Sequence, residues 1–141
     1  MRRRILIVDH DPNYREILKA LLESRGYRVT ALEDGSQLGA LVDRGAFDII
    51  FLDSETPGIR GKALCATIKK ACPRSYIILI TSRRGNGFIK EAMDTGAYGC
   101  VAKPFHPDEI LTMVNQLIGR DRHITVGARK PGDAPPPGGN Q

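Results

Sequence analysis

The chain has 141 residues, 26% of them charged, and a formal net charge of +5 at neutral pH. That length predicts one domain with room for a proper core, and the balance of apolar and charged residues excludes a disordered or fibrous chain. No apolar run approaches the length of a membrane span, and the four apolar residues behind Met1-Arg2-Arg3-Arg4 are too few for a secretory signal, so a cytoplasmic protein with no membrane partner is expected.

The positive charge sits at the ends. Arg2, Arg3 and Arg4 supply three positives, the stretch from Gly119 onward has four positives and two negatives, and residues 5–118 hold fourteen of each sign. A neutral globule with basic ends does not point to nucleic acid as a partner of this chain alone. Cys65, Cys72 and Cys100 are odd in number and lack metal-ligand spacing. Cys65 and Cys72 share a predicted helix, about 10 Å apart along its axis, too far for a disulfide. Reduced thiols are expected.

The first strand is predicted over 4–8. Asp11 then stands where a helix N-cap acid belongs and Pro12 at the first helical position. Tyr14, Ile17, Leu18, Leu21 and Leu22 fall at helical spacing as one apolar face, and Gly26 ends that helix. A more polar second strand, 27–32, belongs nearer an edge. Asp34-Gly35 turns the chain into a short helix over 36–44, with Leu38, Leu41 and Val42 inward and Gly45 at its end. A third strand over 47–52 precedes a loop from Asp53 to Gly61, punctuated by Pro57-Gly58. A third helix spans 62–71 before Pro73, and a fourth strand 75–80. Thr81 to Gly87 reads as a loop, 88–95 as a fourth helix capped by Gly96, and 98–102 as the fifth strand. Pro107 and Asp108 open a fifth helix whose core face is Ile110, Leu111, Val114, Leu117 and Ile118. Arg122 to Val126 is taken as a brief extended segment. Pro131 to Gln141 is too polar and proline-rich to bury a core and is expected to be disordered.

Five βα units predict an α/β fold of flavodoxin-like (βα)5 type, a doubly wound five-stranded parallel sheet of order 2-1-3-4-5. Ile49-Ile50-Phe51-Leu52 is an unbroken apolar run, as a strand buried on both faces requires, and it ends at Asp53. Ile5-Leu6-Ile7-Val8 ends at Asp9, Ile77-Ile78-Leu79-Ile80 at Thr81, and Cys100-Val101-Ala102 at Lys103. Ligands bind at the carboxyl edge of such sheets, so these four polar residues should converge there, with Asp53 central. The set suits phosphoryl chemistry. An aspartate can take a phosphoryl group, and that transfer needs neutralisation of charge on three equatorial oxygens. Asp9 and Asp53 can hold magnesium with the backbone carbonyl of Glu55. Lys103 supplies a fixed positive charge and Thr81 a hydroxyl donor.

The residues carry a resemblance to the receiver domain of bacterial two-component response regulators. The matching stretches are Arg4 to Asp9 with Asp11-Pro12, Leu52-Asp53 with Thr56-Pro57-Gly58 and Gly61, Ile80-Thr81-Ser82, Gly96-Ala97, and Lys103-Pro104-Phe105. The resemblance implies a receiver domain over 1–119 and a basic, then Pro/Gly-rich tail over 120–141. It implies that Asp53 accepts a phosphoryl group from a sensor histidine kinase or phosphotransfer protein, with Thr81 and Lys103 as the assisting groups. It implies magnesium at Asp9, Asp53 and the Glu55 carbonyl, and a cis Lys103-Pro104 bond. A downstream protein target would dock on the face of the fourth predicted helix, fifth strand and fifth helix. Homodimerisation is left open. The protein would be a signalling switch rather than an enzyme, either a stand-alone receiver or one cut before an output domain.

Two positions depart from the family. His10 stands where a second acid usually follows Asp9. Losing a carboxylate near 4 Å from a cation forfeits roughly 1–4 kcal/mol. Imidazole suits softer ions than magnesium, so magnesium should bind weakly, manganese or zinc can compete, and His10 is itself a candidate ligand. Asp11 could replace the missing acid, although the N-cap role suits it better. Cys100 stands where an aromatic ring usually swings inward, with Tyr98 or the Arg83-to-Gly87 loop as alternative movers. These departures motivate an alternative, a phosphorylation-independent pseudo-receiver acting as a protein-binding module. A remote alternative reads Asp9-His10-Asp11 as the Asp-x-Asp motif of a phosphatase, with Asp9 as nucleophile and Asp11 as general acid.

Overall fold

The unbroken apolar runs of this chain form strands whose side chains are buried on both faces of the sheet. The computed structural model describes residues 3–44, 47–57, 61–82, 93, 94 and 96–126. In chain order these form β1 (Arg4–Val8), α1 (Pro12–Ser24), β2 (Arg28–Leu32), α2 (Leu38–Arg44), β3 (Ile49–Asp53), α3 (Gly61–Ala71), β4 (Tyr76–Thr81), β5 (Gly99–Ala102) and α4 (Pro107–Val126). The chain divides after Pro104 into two units, each taken on its own below.

The first unit holds all five strands in one parallel sheet of order β2-β1-β3-β4-β5, the flavodoxin-like order expected. The central strand β3 is buried along its whole length, Asp53 included. Ile7 lies opposite Phe51 and Phe51 opposite Ile78, so large apolar side chains meet across three adjacent strands. Burying each contributes about 1.5–3 kcal/mol relative to exposure. Leu6, Val8, Leu38, Phe47, Ile50, Leu52, Cys65, Ile68, Ile77, Leu79 and Ala97 form one continuous apolar cluster. Edge strand β2 is only half-buried, as its polar composition foretells.

Local chemistry sets the ends of α1. The Asp11 side chain accepts from the Asn13 backbone N–H at 2.9 Å, and Pro12 occupies the first turn, where no N–H is missed. Gly26 ends the helix at φ +90°. Its N–H bonds the Glu23 carbonyl at 3.0 Å and the Tyr27 N–H bonds the Leu22 carbonyl at 3.2 Å, the paired bonds of a Schellman motif. Leu18 and Leu22 are the buried residues of this helix, whereas Ile17 is 52% exposed. The expected inward face is thus narrower than its sequence spacing, because Ile17 is rotated about 100° from Leu18. Gly96 adopts φ +100° where a helix cap is expected, its N–H bonding the Met93 carbonyl at 3.2 Å.

In the second unit, α4 opens with a capping arrangement. The His106 N–H donates to Glu109 Oε1 at 2.8 Å and the Asp108 N–H to His106 Nδ1 at 3.2 Å. Asp108 and Glu109 place negative charge on the first turn, where the helix dipole favours it. Ile110, Val114 and Leu117, spaced by four and three, are fully buried. The expected extended segment over Arg122–Val126 is a correction: the helix continues through Val126. Gly119 does not take a positive φ, so it costs helix propensity without ending the helix, and no proline lies between Gly119 and Pro131.

Of the fourth predicted helix, only residues 93 and 94 are described, and they are helical. The Arg83-to-Gly87 loop, Gly45, Gly58 and the tail from 127 lie outside the described residues.

Candidate functional site

Strand β1 carries the chain to Asp9, whose N–H still bonds the Leu32 carbonyl of β2 at 3.1 Å. The backbone then folds back on the side chain. The Asp11 N–H donates to Asp9 Oδ1 at 2.9 Å, and Arg15 Nη1 to the Asp9 carbonyl at 2.9 Å. Asp9 is fully buried, and Asp11 is held by its capping role. Asp53 is the last residue of β3 rather than the first of the loop, because the Ser54 N–H continues the ladder to the Ile80 carbonyl at 2.8 Å. The turn beyond it is closed by Thr56. Its N–H bonds the Asp53 carbonyl at 3.2 Å, and its hydroxyl donates to Asp53 Oδ2 at 2.8 Å. Thr81 ends β4, 1% exposed, and its carbonyl accepts the Lys103 N–H at 2.7 Å. Lys103 precedes Pro104 through the expected cis bond.

These turns bring charges together. Lys103 Nζ lies 3.1 Å from Asp9 Oδ1, 3.0 Å from Asp9 Oδ2 and 3.4 Å from Asp53 Oδ1. It also sits 4.4 Å from the centre of the Tyr14 ring, which accepts its charge on the π face. His10 reaches the same acid from the solvent side. Nδ1 is 2.9 Å from Asp53 Oδ2 and 3.8 Å from Asp9 Oδ1. An ionised carboxylate only accepts, so at 2.9 Å this nitrogen carries the proton and donates. The His10 backbone N–H donates to the Thr56 hydroxyl at 2.9 Å. Thr56 thereby relays between the two turns. His10, Asp53, Glu55 and Lys103 line a cleft of about 320 Å³.

The ion pair reads oppositely from its two ends. Burial raises the Asp9 carboxyl above its ordinary range, and the Asp11 N–H and Lys103 only partly offset it. At Lys103, burial pulls the ammonium down, but the hydrogen bond and charge of Asp9, then Asp53, outweigh it and the value is raised. Both effects follow from one fact: there are two carboxylates and one ammonium in a dry pocket. Asp9 Oδ2 is buried and takes no hydrogen bond, with the Lys103 ammonium 3.0 Å away as its ion-pair partner. Burial also raises the Cys100 thiol, which keeps it protonated.

Asp9 and Asp53 are thus each approached by both His10 and Lys103. Glu55 lines the same cleft, its carboxylate taken up by the Ser82 hydroxyl. Thr81 joins the group through its backbone link to Lys103. Thr56 and Tyr14 are site residues that sequence reasoning misses. Thr56 left a signal, a hydroxyl three residues beyond an acid in a turn. Tyr14 left none, since a ring on the first turn of a helix reads as core.

Comparison with known proteins gives a consistent answer. The model of the response regulator receiver domain family matches residues 5–115. The chain is 31% identical over 121 residues to the DNA-binding response regulator MtrA of Mycolicibacterium smegmatis, covering 86% of this chain and 53% of that protein. It therefore spans about half the length of that relative. Among solved structures, a two-component response regulator from Clostridium difficile superposes with a TM-score of 0.80 at 22% identity, covering 85% of this chain and 98% of the other. The receiver domain of a sensor histidine kinase from Pseudomonas aeruginosa, solved with a magnesium ion coordinated in its active site cleft, gives 0.75 at 29%, covering 84% and 99%.

Proposed function

The chain belongs to the response regulator receiver domain family of two-component systems, and from that membership we propose that it is a phosphoacceptor switch with Asp53 as the accepting residue. The observation that carries the proposal is the position of Lys103 Nζ, within 3.4 Å of Asp53 and 3.0 Å of Asp9 at the carboxyl edge of the sheet. A phosphoryl group on Asp53 would arrive beside a fixed positive charge that needs no rearrangement.

The donor is a histidine kinase or phosphotransfer protein bearing a phosphohistidine. A lone pair on an Asp53 oxygen attacks phosphorus, the P–O bond forms as the P–N bond breaks, and the imidazole leaves with the bonding pair, neutral because its other nitrogen keeps a proton. Lys103 offsets the charge spread over the phosphoryl oxygens, and the Thr81 hydroxyl donates to one of them. Receiver domains bind magnesium at an acidic site, and the buried Asp9 Oδ2, lacking a hydrogen bond, is a donor of the kind such an ion needs. Asp9, Asp53 and the Glu55 carbonyl would hold the ion, which supplies further charge neutralisation when bound. The switched domain then engages a downstream protein in the cytoplasm. Residues 1–119 form the receiver, and residues 120–141 serve as a linker or docking segment.

Incubation with a small acyl phosphate and a divalent metal, read by intact mass, tests this. One added phosphoryl group is expected, absent in Asp53→Asn. No adduct with any metal leaves a phosphorylation-independent binding module. An adduct that survives Asp53→Asn but not Asp9→Asn assigns the chemistry to Asp9 instead.

A further inference from the structure

We propose that Asp9, His10 and Asp53 form a mixed nitrogen–oxygen site selective for a later first-row divalent cation, of the cobalt or zinc kind, over magnesium. The inference rests on the divalent-metal reading of this cleft and names its ion.

One donor atom from each of the three residues lies within 4.8 Å of the others. His10 Nδ1 is 2.9 Å from Asp53 Oδ2 and 3.8 Å from Asp9 Oδ1. Donors bound about 2.1 Å from a common ion stand roughly 3–3.5 Å apart, so the separations bracket what coordination needs. Asp9 is fully buried, and its Oδ2 has no hydrogen bond. Its charged partner is Lys103 Nζ at 3.0 Å, and that one ammonium also serves Asp53, so two buried carboxylates share a single positive charge.

The charge and the donor types decide which ion that is. Two carboxylates face one ammonium, leaving one net negative charge at the cluster. Magnesium demands hard oxygen donors and is held mainly through charge. The later ions gain from the imidazole nitrogen, which magnesium uses poorly. Binding also exchanges the hydrogen bond between His10 and Asp53 for two bonds to the metal, the Nδ1 proton passing to Nε2 through solvent so that Nδ1 offers its lone pair. Thr56 keeps its own bond to Asp53 Oδ2, so the acceptor stays oriented when His10 turns to the ion.

The test is calorimetric titration of the full chain with Co²⁺, Zn²⁺ and Mg²⁺, with Co²⁺ absorption spectra as a second readout, on wild type, His10→Asp and His10→Ala. Sites of most kinds favour later metals to some degree, so the quantity read is the change in preference between variants. His10→Asp is expected to tighten Mg²⁺ and weaken Co²⁺ and Zn²⁺, moving the ratio by roughly tenfold or more. His10→Ala is expected to weaken Co²⁺ and Zn²⁺ by about tenfold or more, with loss of the Co²⁺ spectrum. An unchanged ratio in His10→Asp, or an undiminished Co²⁺ spectrum in His10→Ala, overturns the proposal. His10 is 47% exposed, so neither variant threatens the fold. Intact mass of His10→Asp with acyl phosphate and Mg²⁺ separates this question from the parent one. An adduct there with an unchanged metal ratio refutes the selectivity alone, and no adduct in any variant or metal refutes the phosphoacceptor reading.

Discussion

Asp53 has both oxygens engaged. Oδ2 accepts from the Thr56 hydroxyl and from His10, and Oδ1 lies beside Lys103. Thr56 is the residue on which this depends most, because its one hydroxyl donates to the acid and accepts from the His10 backbone. It is 2% exposed, so Thr56→Val keeps the shape and removes only the polar function. The His10 N–H then loses its acceptor. A cost of about 1–3 kcal/mol is expected, seen as a lower urea midpoint at unchanged slope. At this scale the sequence was partly legible. Asp9, Asp53 and Lys103 announce themselves as polar residues ending apolar runs. The contact between His10 and Asp53 does not, because it depends on two turns, 43 residues apart, being pinned to each other by Thr56.

The elements were legible where periodicity was strong and ambiguous where a single glycine had to be interpreted. Apolar runs and the spacing of Asp11, Pro12 and Gly26 located β1, α1 and their boundaries within a residue or so. The apolar pattern puts Asp53 just outside its strand, since a run of side chains does not tell where ladder hydrogen bonds stop. Gly26 and Gly119 look alike in sequence and differ in backbone. Gly26 stands at φ +90° with open space where a Cβ would go, whereas Gly119 lies within α4, again with open space. Alanine at the two positions should therefore act in opposite directions. Gly26→Ala is expected to destabilise by about 1–2 kcal/mol, since only the backbone conformation resists it. Gly119→Ala is expected to stabilise by about 0.5–1 kcal/mol through helix propensity. Thermal melts of the two variants beside wild type measure both.

For the whole molecule, pH is the lever that the site provides. The folded state holds the Asp9 proton more tightly than the unfolded chain does, because its pKa is raised above 3.8. That contribution to stability is present at low pH and falls as pH rises from about 3.8 through the raised value. Asp34 acts in reverse. The Ser36 hydroxyl and N–H lower its pKa, so its stabilisation is present above 3.8 and lost as pH falls through the lowered value. Lys103 is raised above 10.5, and its contribution holds below that pH and disappears as pH climbs through the raised value. Denaturation curves collected across pH for wild type and Asp9→Asn isolate the first of these. The variant should gain on wild type as pH rises above 3.8, and the gain should level off once pH has passed the raised Asp9 value. A difference curve flat across that range would mean that burial does not govern Asp9.

The bond between Lys103 and Asp9 joins residues 94 positions apart. Closing so long a span carries an entropy cost that the pairing of β5 with β4 helps to offset. The acidic pocket therefore has its cation only when β5 has joined the sheet. A chain that ends before residue 103 lacks the ammonium that lies within 3.4 Å of both acids. If Asp53 is the acceptor proposed above, a chain that lacks Lys103 lacks the positive charge beside it.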